Sequence, residues 1–121
     1  MNREKIKITL DTLYGEVFNH GKAELLSDLV SGPYIQHNPH LPNGIESLAG
    51  YVTQAGGIVN EVKRVAIDGD MAFVHVRFPD WMGAEHAAVD IFRFDEDGKI
   101  LEHWDVLQGV PASAANINTM F

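Results

Sequence analysis

The hydrophobic period of this chain changes once, near Ile58, and that single change orders its layers. Before it, apolar residues recur every three to four positions, as on one side of a helix. After it they alternate, with β-branched residues enriched and turn signals at regular intervals. The first stretch, Asn2 to Asn19, carries Ile6, Leu10, Leu13, Tyr14, Val17 and Phe18 on one stripe, and His20-Gly21 ends it. A second helix is predicted over Lys22 to Val30, with Leu25, Leu26, Leu29 and Val30 on one side and Ser31-Gly32-Pro33 as its stop. A third begins after Asn43 and Glu46, which are spaced as a capping box. It presents Ile45, Leu48, Ala49 and Val52 and ends at Gly56-Gly57. Between the second and third lies Tyr34-Ile35-Gln36-His37-Asn38-Pro39-His40-Leu41-Pro42. Its two prolines bar a regular helix, and its density of aromatic and hydrogen-bonding groups marks it as a candidate site loop.

Past Ile58, four strands are predicted at Val59 to Ile67, Met71 to Pro79, Ala84 to Phe94 and Lys99 to Gln108. They are joined by Asp68-Gly69-Asp70, Asp80-Trp81-Met82-Gly83 and Asp95-Glu96-Asp97-Gly98, connections short enough to make the sheet antiparallel. Helices followed by a meander are an α+β pattern, with the helices laid across one face of a curved sheet. No repeat and no boundary divides the chain, so residues 1–121 form one domain, and the tail from Gly109 to Phe121 shows no period.

Composition removes several functions. With no cysteine, disulfides, thiolate catalysis and sulfur-ligated zinc are excluded. Nine basic against seventeen acidic residues give a net charge of −8, which repels phosphate backbones and anionic lipid, so neither nucleic acid nor membrane is an expected partner. No apolar run approaches the ~18 residues of a membrane span. The opening Met-Asn-Arg-Glu-Lys-Ile-Lys has no apolar stretch after its basic residues and does not read as a secretory signal, so a cytoplasmic protein is expected. A glycine-rich phosphate loop and Gly-x-Ser-x-Gly are both absent from the sequence.

Alternation within the strands sorts side chains between two faces. A two-residue Glu96-Asp97 loop would set Asp90 opposite His103 and Ala88 opposite Asp105, all on one face. A similar connection around Trp81 would bring His75 near Ala88 on that face, with Phe73, Arg77, Phe92, Phe94, Leu101 and Leu107 filling the remainder. The opposite parity gives Ala72, Val74, Val76, Phe78, Ala87, Val89, Ile91, Trp104 and Val106. Both faces are apolar and the helices cover only one, so a homodimer through the other is expected.

A carboxylate in an apolar cavity has its charged form disfavoured and its pKa raised, which suits a general acid or base near neutral pH. Asp90 and Asp105 fit that role, or else accept hydrogen bonds from His75, His103 or a helix end. Tyr34, His37 and Asn38 either reach the cavity or satisfy loop backbone. Trp81 and Trp104 read as hydrophobic cover. His37, His40, His75, His103, Asp90 and Asp105 are legal metal ligands, yet no spacing matches a paired-histidine motif, and no metal site is expected.

The order of elements, with Tyr34-Ile-Gln-His-Asn-Pro39, Ala88-Val-Asp-Ile-Phe-Arg-Phe94 and Gly98-Lys-Ile-Leu-Glu-His-Trp-Asp-Val-Leu-Gln108, resembles the SnoaL-like polyketide cyclases of the nuclear transport factor 2 (NTF2-like) superfamily. The resemblance spans nearly the whole chain. It implies a cone-shaped α+β barrel, in which a bent antiparallel sheet wraps three helices around a deep apolar pocket, and a dimer through the outer sheet face. The superfamily includes aldol cyclases, ketosteroid isomerases, limonene epoxide hydrolases, dehydratases and non-catalytic domains, so fold alone leaves the activity open. By position, Asp105 resembles the acid/base aspartate of the cyclases, and Asp90 resembles the protonated aspartate of the isomerase oxyanion hole. The isomerases pair that aspartate with a tyrosine deep on helix one, for which Tyr14 is the candidate. The hydrolases need an arginine two places from an aspartate on one strand, whereas the inward neighbours of Asp90 are Ala88 and Phe92, which disfavours that chemistry.

The expectation is therefore a cofactor-free acid/base enzyme acting on a small apolar carbonyl compound, as an aldol-type cyclase or an isomerase. Asp105 would move the proton, and Asp90, His75 or His103 would stabilise the enolate oxygen. Asn38 and His37 would orient the substrate, with Tyr34, Phe73, Trp81, Phe92 and Leu101 shaping the pocket. The alternative is a non-catalytic ligand-binding or dimerisation domain of the same fold.

Overall fold

The computed structural model describes residues 2–121. The first helix is continuous but changes pitch: α1 (Arg3–Asp11) runs into a π-helical segment (Thr12–Asn19) carrying buried Leu13, Tyr14, Val17 and Phe18. A 3-10 turn (Ala23–Leu25) leads into the short α2 (Leu26–Leu29), and α3 spans Glu46–Ala55. Gly56 closes α3 in the left-handed conformation at φ 76°, which favours glycine. The capping-box pairing of Asn43 and Glu46 does not form, because the Asn43 side-chain oxygen accepts the backbone N–H of Gln36 instead.

Five strands, not four, make the sheet: β1 (Val30–Gln36), β2 (Glu61–Asp68), β3 (Met71–Trp81), β4 (Ala84–Phe94) and β5 (Ile100–Gly109), in the order β1-β5-β4-β3-β2. The four sequential strands form the expected antiparallel meander. The extra strand comes from the segment expected to be a helix end and site loop, and it lies parallel to β5, with Gln36 beside His103. Nothing local announces it. Gly32 and Pro33 interrupt its alternation, and its partner is some 67 residues away. The sheet is curved but unclosed, with β1 and β2 at its edges.

Two bulges decide which side chains face the helices. Near the β3–β4 hairpin, Phe78 pairs with His86 while Trp81 pairs with Ala84, so Pro79 and Asp80 oppose Glu85 alone. Proline donates no ladder hydrogen bond, and this extra residue reverses the parity of β3. Ala72, Val74, Val76 and Phe78 therefore point into the core, at 0, 0, 0 and 6% exposure. Phe73, His75 and Arg77, expected inside, lie on the outer face, where Phe73 is exposed, His75 contacts Arg64, and Arg77 pairs with Glu61 and Glu85.

The second bulge sits at Leu101, between the Arg93–Glu102 and Phe94–Ile100 pairs. It adds one residue and the longer Asp95 to Lys99 connection adds another, so the β4–β5 register lies two residues from the expected one. Asp90 thus stands directly opposite Asp105, and His103 opposite Phe92. A shift of two preserves parity, so all four remain on the inner face. Leu101 itself leaves the alternation and is only half buried.

The core joins Ile6, Leu10, Leu13, Tyr14 and Val17 of the first helix to Val74, Val76, Ala88, Phe92, Phe94 and Ile100 of the sheet. At the wide end, Gly98 turns with φ 74° and presses on Lys5, where a Cβ would come within 2.6 Å. Its carbonyl accepts the Thr9 hydroxyl at 2.6 Å, which ties the helix to the β4–β5 turn.

Candidate acid/base site

The cavity between helices and sheet has an interior volume of about 50 Å³ and opens to a mouth. Its wall is largely apolar, from Leu13, Phe18, Leu48, Ile58, Phe78 and Trp81, and its polar groups come from β1, β4, β5 and the segment after β1. Asp90 is 5% exposed and has both oxygens engaged. The Tyr14 hydroxyl donates to Oδ2 at 2.5 Å, and His103 Nε2 lies 3.1 Å from Oδ1. On its far side, His103 Nδ1 meets Gln36 Oε1 at 2.7 Å.

Asp105 has a different environment. Its Oδ2 accepts from Asn38 Nδ2 at 2.8 Å and lies 3.9 Å from His103 Nε2. Its Oδ1 is buried and has no hydrogen-bond partner. Burial pushes the Asp105 carboxyl above the usual carboxylate range, and the nearby Asp90 charge adds to the rise, while the Asn38 hydrogen bond, His103 and His40 oppose it. Two further contacts fix Asn38 itself. Its side-chain oxygen accepts the His40 backbone N–H at 2.8 Å, and its own backbone N–H donates to Gln36 Oε1 at 2.9 Å. The amide nitrogen is thereby turned toward Asp105.

Two tyrosines enclose the pair. Burial, and then the Asp90 charge, drive the Tyr14 hydroxyl well above its ordinary value, so it stays protonated and donates to Asp90. Burial likewise raises Tyr34, whose ring stacks on His103 at 6.4 Å. Tyr34 adopts φ 51°, a left-handed conformation that costs a non-glycine residue about 1 kcal/mol or more, so the surrounding structure holds it there.

Of the expected site residues, Asp90, Asp105, His103, Tyr34, Asn38, Trp81 and Phe92 line this cavity. His75 and Phe73 are on the other side of the sheet, and Leu101 lies at the bulge outside the lining. His37 is also displaced: it stacks on Trp104 at 4.8 Å and binds Glu102 at 2.8 Å on the outer face. The reason is strand geometry, since Gln36 and Asn38 point inward and the residue between them must point out. Gln36 lines the cavity from the end of β1, and only the pairing of β1 with β5 brings it there. Tyr14, which the family resemblance offers as the partner of Asp90, does bond it, although its own sequence setting shows only a place on the apolar stripe.

Asp90, His103 and Asp105 offer three ligand atoms within 4.8 Å of one another. A cation there would have to displace the Asp90–His103 contact and the Tyr14 hydrogen bond, since Asp105 Oδ1 alone is uncommitted. Among the described residues no arginine lines the cavity, so the hydrolase arrangement is missing.

The model of the SnoaL-like domain matches residues 11–103, which includes the π-helical segment, β1, β4 and the central polar residues up to His103. The chain belongs to the SnoaL-like domain family. Its fold is that of the nuclear transport factor 2-like proteins. A protein of that kind and of unknown function from Burkholderia xenovorans LB400 superposes with a TM-score of 0.76 at 18% identity, covering 95% of this chain and 91% of the other. A protein named as a SnoaL-like polyketide cyclase, from Jannaschia sp. CCS1, gives 0.67 at 16% identity over 86% and 85%. A steroid delta-isomerase from Pseudomonas aeruginosa gives 0.66 at 16% over 86% and 80%. No curated protein sequence matches significantly. At such identities the SnoaL-like fold is shared, and the chemistry has to be argued from this chain's own cavity.

Proposed function

We propose that this SnoaL-like protein is an acid/base enzyme that moves a proton on a small, mostly apolar carbonyl compound, in an isomerisation or an aldol-type cyclisation. One observation carries the reading: a buried carboxylate oxygen, Asp105 Oδ1, lines an apolar cavity without a partner. A structural acceptor would have both oxygens satisfied, as Asp90 does. Raised above the ordinary carboxylate range, Asp105 is a stronger base than an exposed aspartate and can take a proton from a carbon next to a carbonyl. The Tyr14–Asp90–His103 network would face the developing enolate oxygen, and Asn38 would keep the base in place. The apolar wall favours substrates with few polar groups.

The protein would act as a homodimer. Val89 and Val106 are 38 and 67% exposed on the outer sheet face, with Ile91 and Trp104 half buried beside them. Val74 and Val76, counted toward that face from the sequence, belong to the core instead. A second copy is the partner best matched to an apolar sheet face that carries the paired charges of Arg93 and Glu102.

The decisive experiment is α-hydrogen exchange into cyclohexanone and 2-tetralone in deuterated water, followed by NMR. Wild type should accelerate exchange, and Asp105→Asn should lose a factor of about 10²–10⁴. Equal rates in both proteins, with the ketones still bound, would leave a ligand-binding domain without catalysis.

A further inference from the structure

Gln36 makes two contacts through a single atom. The backbone N–H of Asn38 lies 2.9 Å from it, and His103 Nδ1 lies 2.7 Å from it. A backbone N–H can only donate, so the atom between them must be the amide oxygen and not the amide nitrogen. An amide oxygen carries no proton, so His103 Nδ1 must supply one. The other ring nitrogen, Nε2, is 3.1 Å from Asp90 Oδ1. Two bare lone pairs at that distance would repel, so one proton must also lie between Nε2 and the carboxyl.

We infer that Gln36 is a positioning residue that locks His103 with its proton on Nδ1 and thereby obliges Asp90 and His103 to share one further proton. Whether that proton resides on the carboxyl or on the imidazole, the pair is neutral as a unit. The polar end of the cavity then combines a neutral proton-bearing pair with one carboxylate, Asp105, 3.9 Å from Nε2. The groups that face the pair are few. Tyr14 donates to Asp90 from the first helix, Tyr34 stacks on His103 from β1, Asp105 lies beside it on β5, and His40 acts on Asp105 from the segment after β1. Of these only Asp105 brings negative charge near neutral pH. The arrangement supplies a proton to an oxygen that becomes anionic while Asp105 accepts one from carbon. This catalytic use rests on the acid/base reading, whereas the proton positions rest on the contacts alone.

The test is imidazole ¹H–¹⁵N correlation NMR on ¹⁵N-labelled protein without substrate, with His103 assigned by its loss in His103→Gln. Wild type at pH 7 should show Nδ1 protonated. Gln36→Met removes the acceptor and should shift His103 toward the Nε2–H tautomer, while Gln36→Glu keeps an acceptor oxygen and should restore the wild-type pattern. A wild-type His103 with bare Nδ1 would overturn the inference even if Gln36→Met failed to fold. An unchanged Nδ1–H in folded Gln36→Met would overturn the role of Gln36. Because no substrate is present, a failed deuterium-exchange assay leaves this result readable.

Discussion

Asp105→Asn separates a catalytic carboxylate from a structural one through stability alone. In the folded protein Oδ2 has its partner in Asn38, and Oδ1 has none. The asparagine can keep its carbonyl oxygen toward Asn38 and place its amide group where Oδ1 was. An unpartnered buried polar group costs about 1–3 kcal/mol and more when it is charged, so the exchange trades a larger penalty for a smaller one. A gain of about 1 kcal/mol at pH 7 is expected, or roughly 3–5 °C in Tm for a domain of this size. The pH dependence has a definite sign. Because burial raises the folded pKa above the unfolded value, wild type loses stability as pH rises from about 3.9 through the folded pKa, and the variant does not. The variant's advantage should be full above the folded pKa and vanish near pH 3.9 and below. Thermal unfolding of both proteins across pH 3.5 to 8 reads this directly. A variant less stable than wild type at pH 7, or a difference that does not change with pH, would refute the argument that Asp105 is a poorly solvated base.

Tyr14→Phe strips the donor from a buried carboxylate oxygen and should cost about 1–3 kcal/mol, read as a lower urea midpoint; an unchanged midpoint would show that the Asp90 contact adds nothing. Val89→Lys on the outer sheet face should convert a dimer to monomers in sedimentation, and a wild-type protein already monomeric at micromolar concentration would remove the dimer. Chelation should alter neither Tm nor ketone exchange, because Asp90 is already bonded to Tyr14 and His103; a stoichiometric metal whose removal lowers either would reverse that conclusion.

The sequence by itself determined the class of fold and which aspartates face the cavity. A stripe of period 3.6 from Ile6 to Phe18 can bury only one side of a helix, and alternating strands joined by short turns can pair only with their neighbours. These are local rules, and the helices and the four-strand meander followed from them. Asp90, His103 and Asp105 were also legible, because a polar residue at an inward strand position stands out against its apolar neighbours. The tertiary structure alone decided three other things. The bulge at Pro79 and Asp80 moved His75 and Phe73 out of the site, since one unpaired residue reverses every side chain beyond it. The parallel pairing of β1 with β5 brought Gln36 to His103 and Asn38 to Asp105 across some 67 residues of chain, which no local pattern encodes. Tyr14 acquired its role in the same way. The family resemblance named it as the candidate partner of Asp90, but its helical period shows one more apolar position, and packing against β4 is what puts its hydroxyl on Asp90.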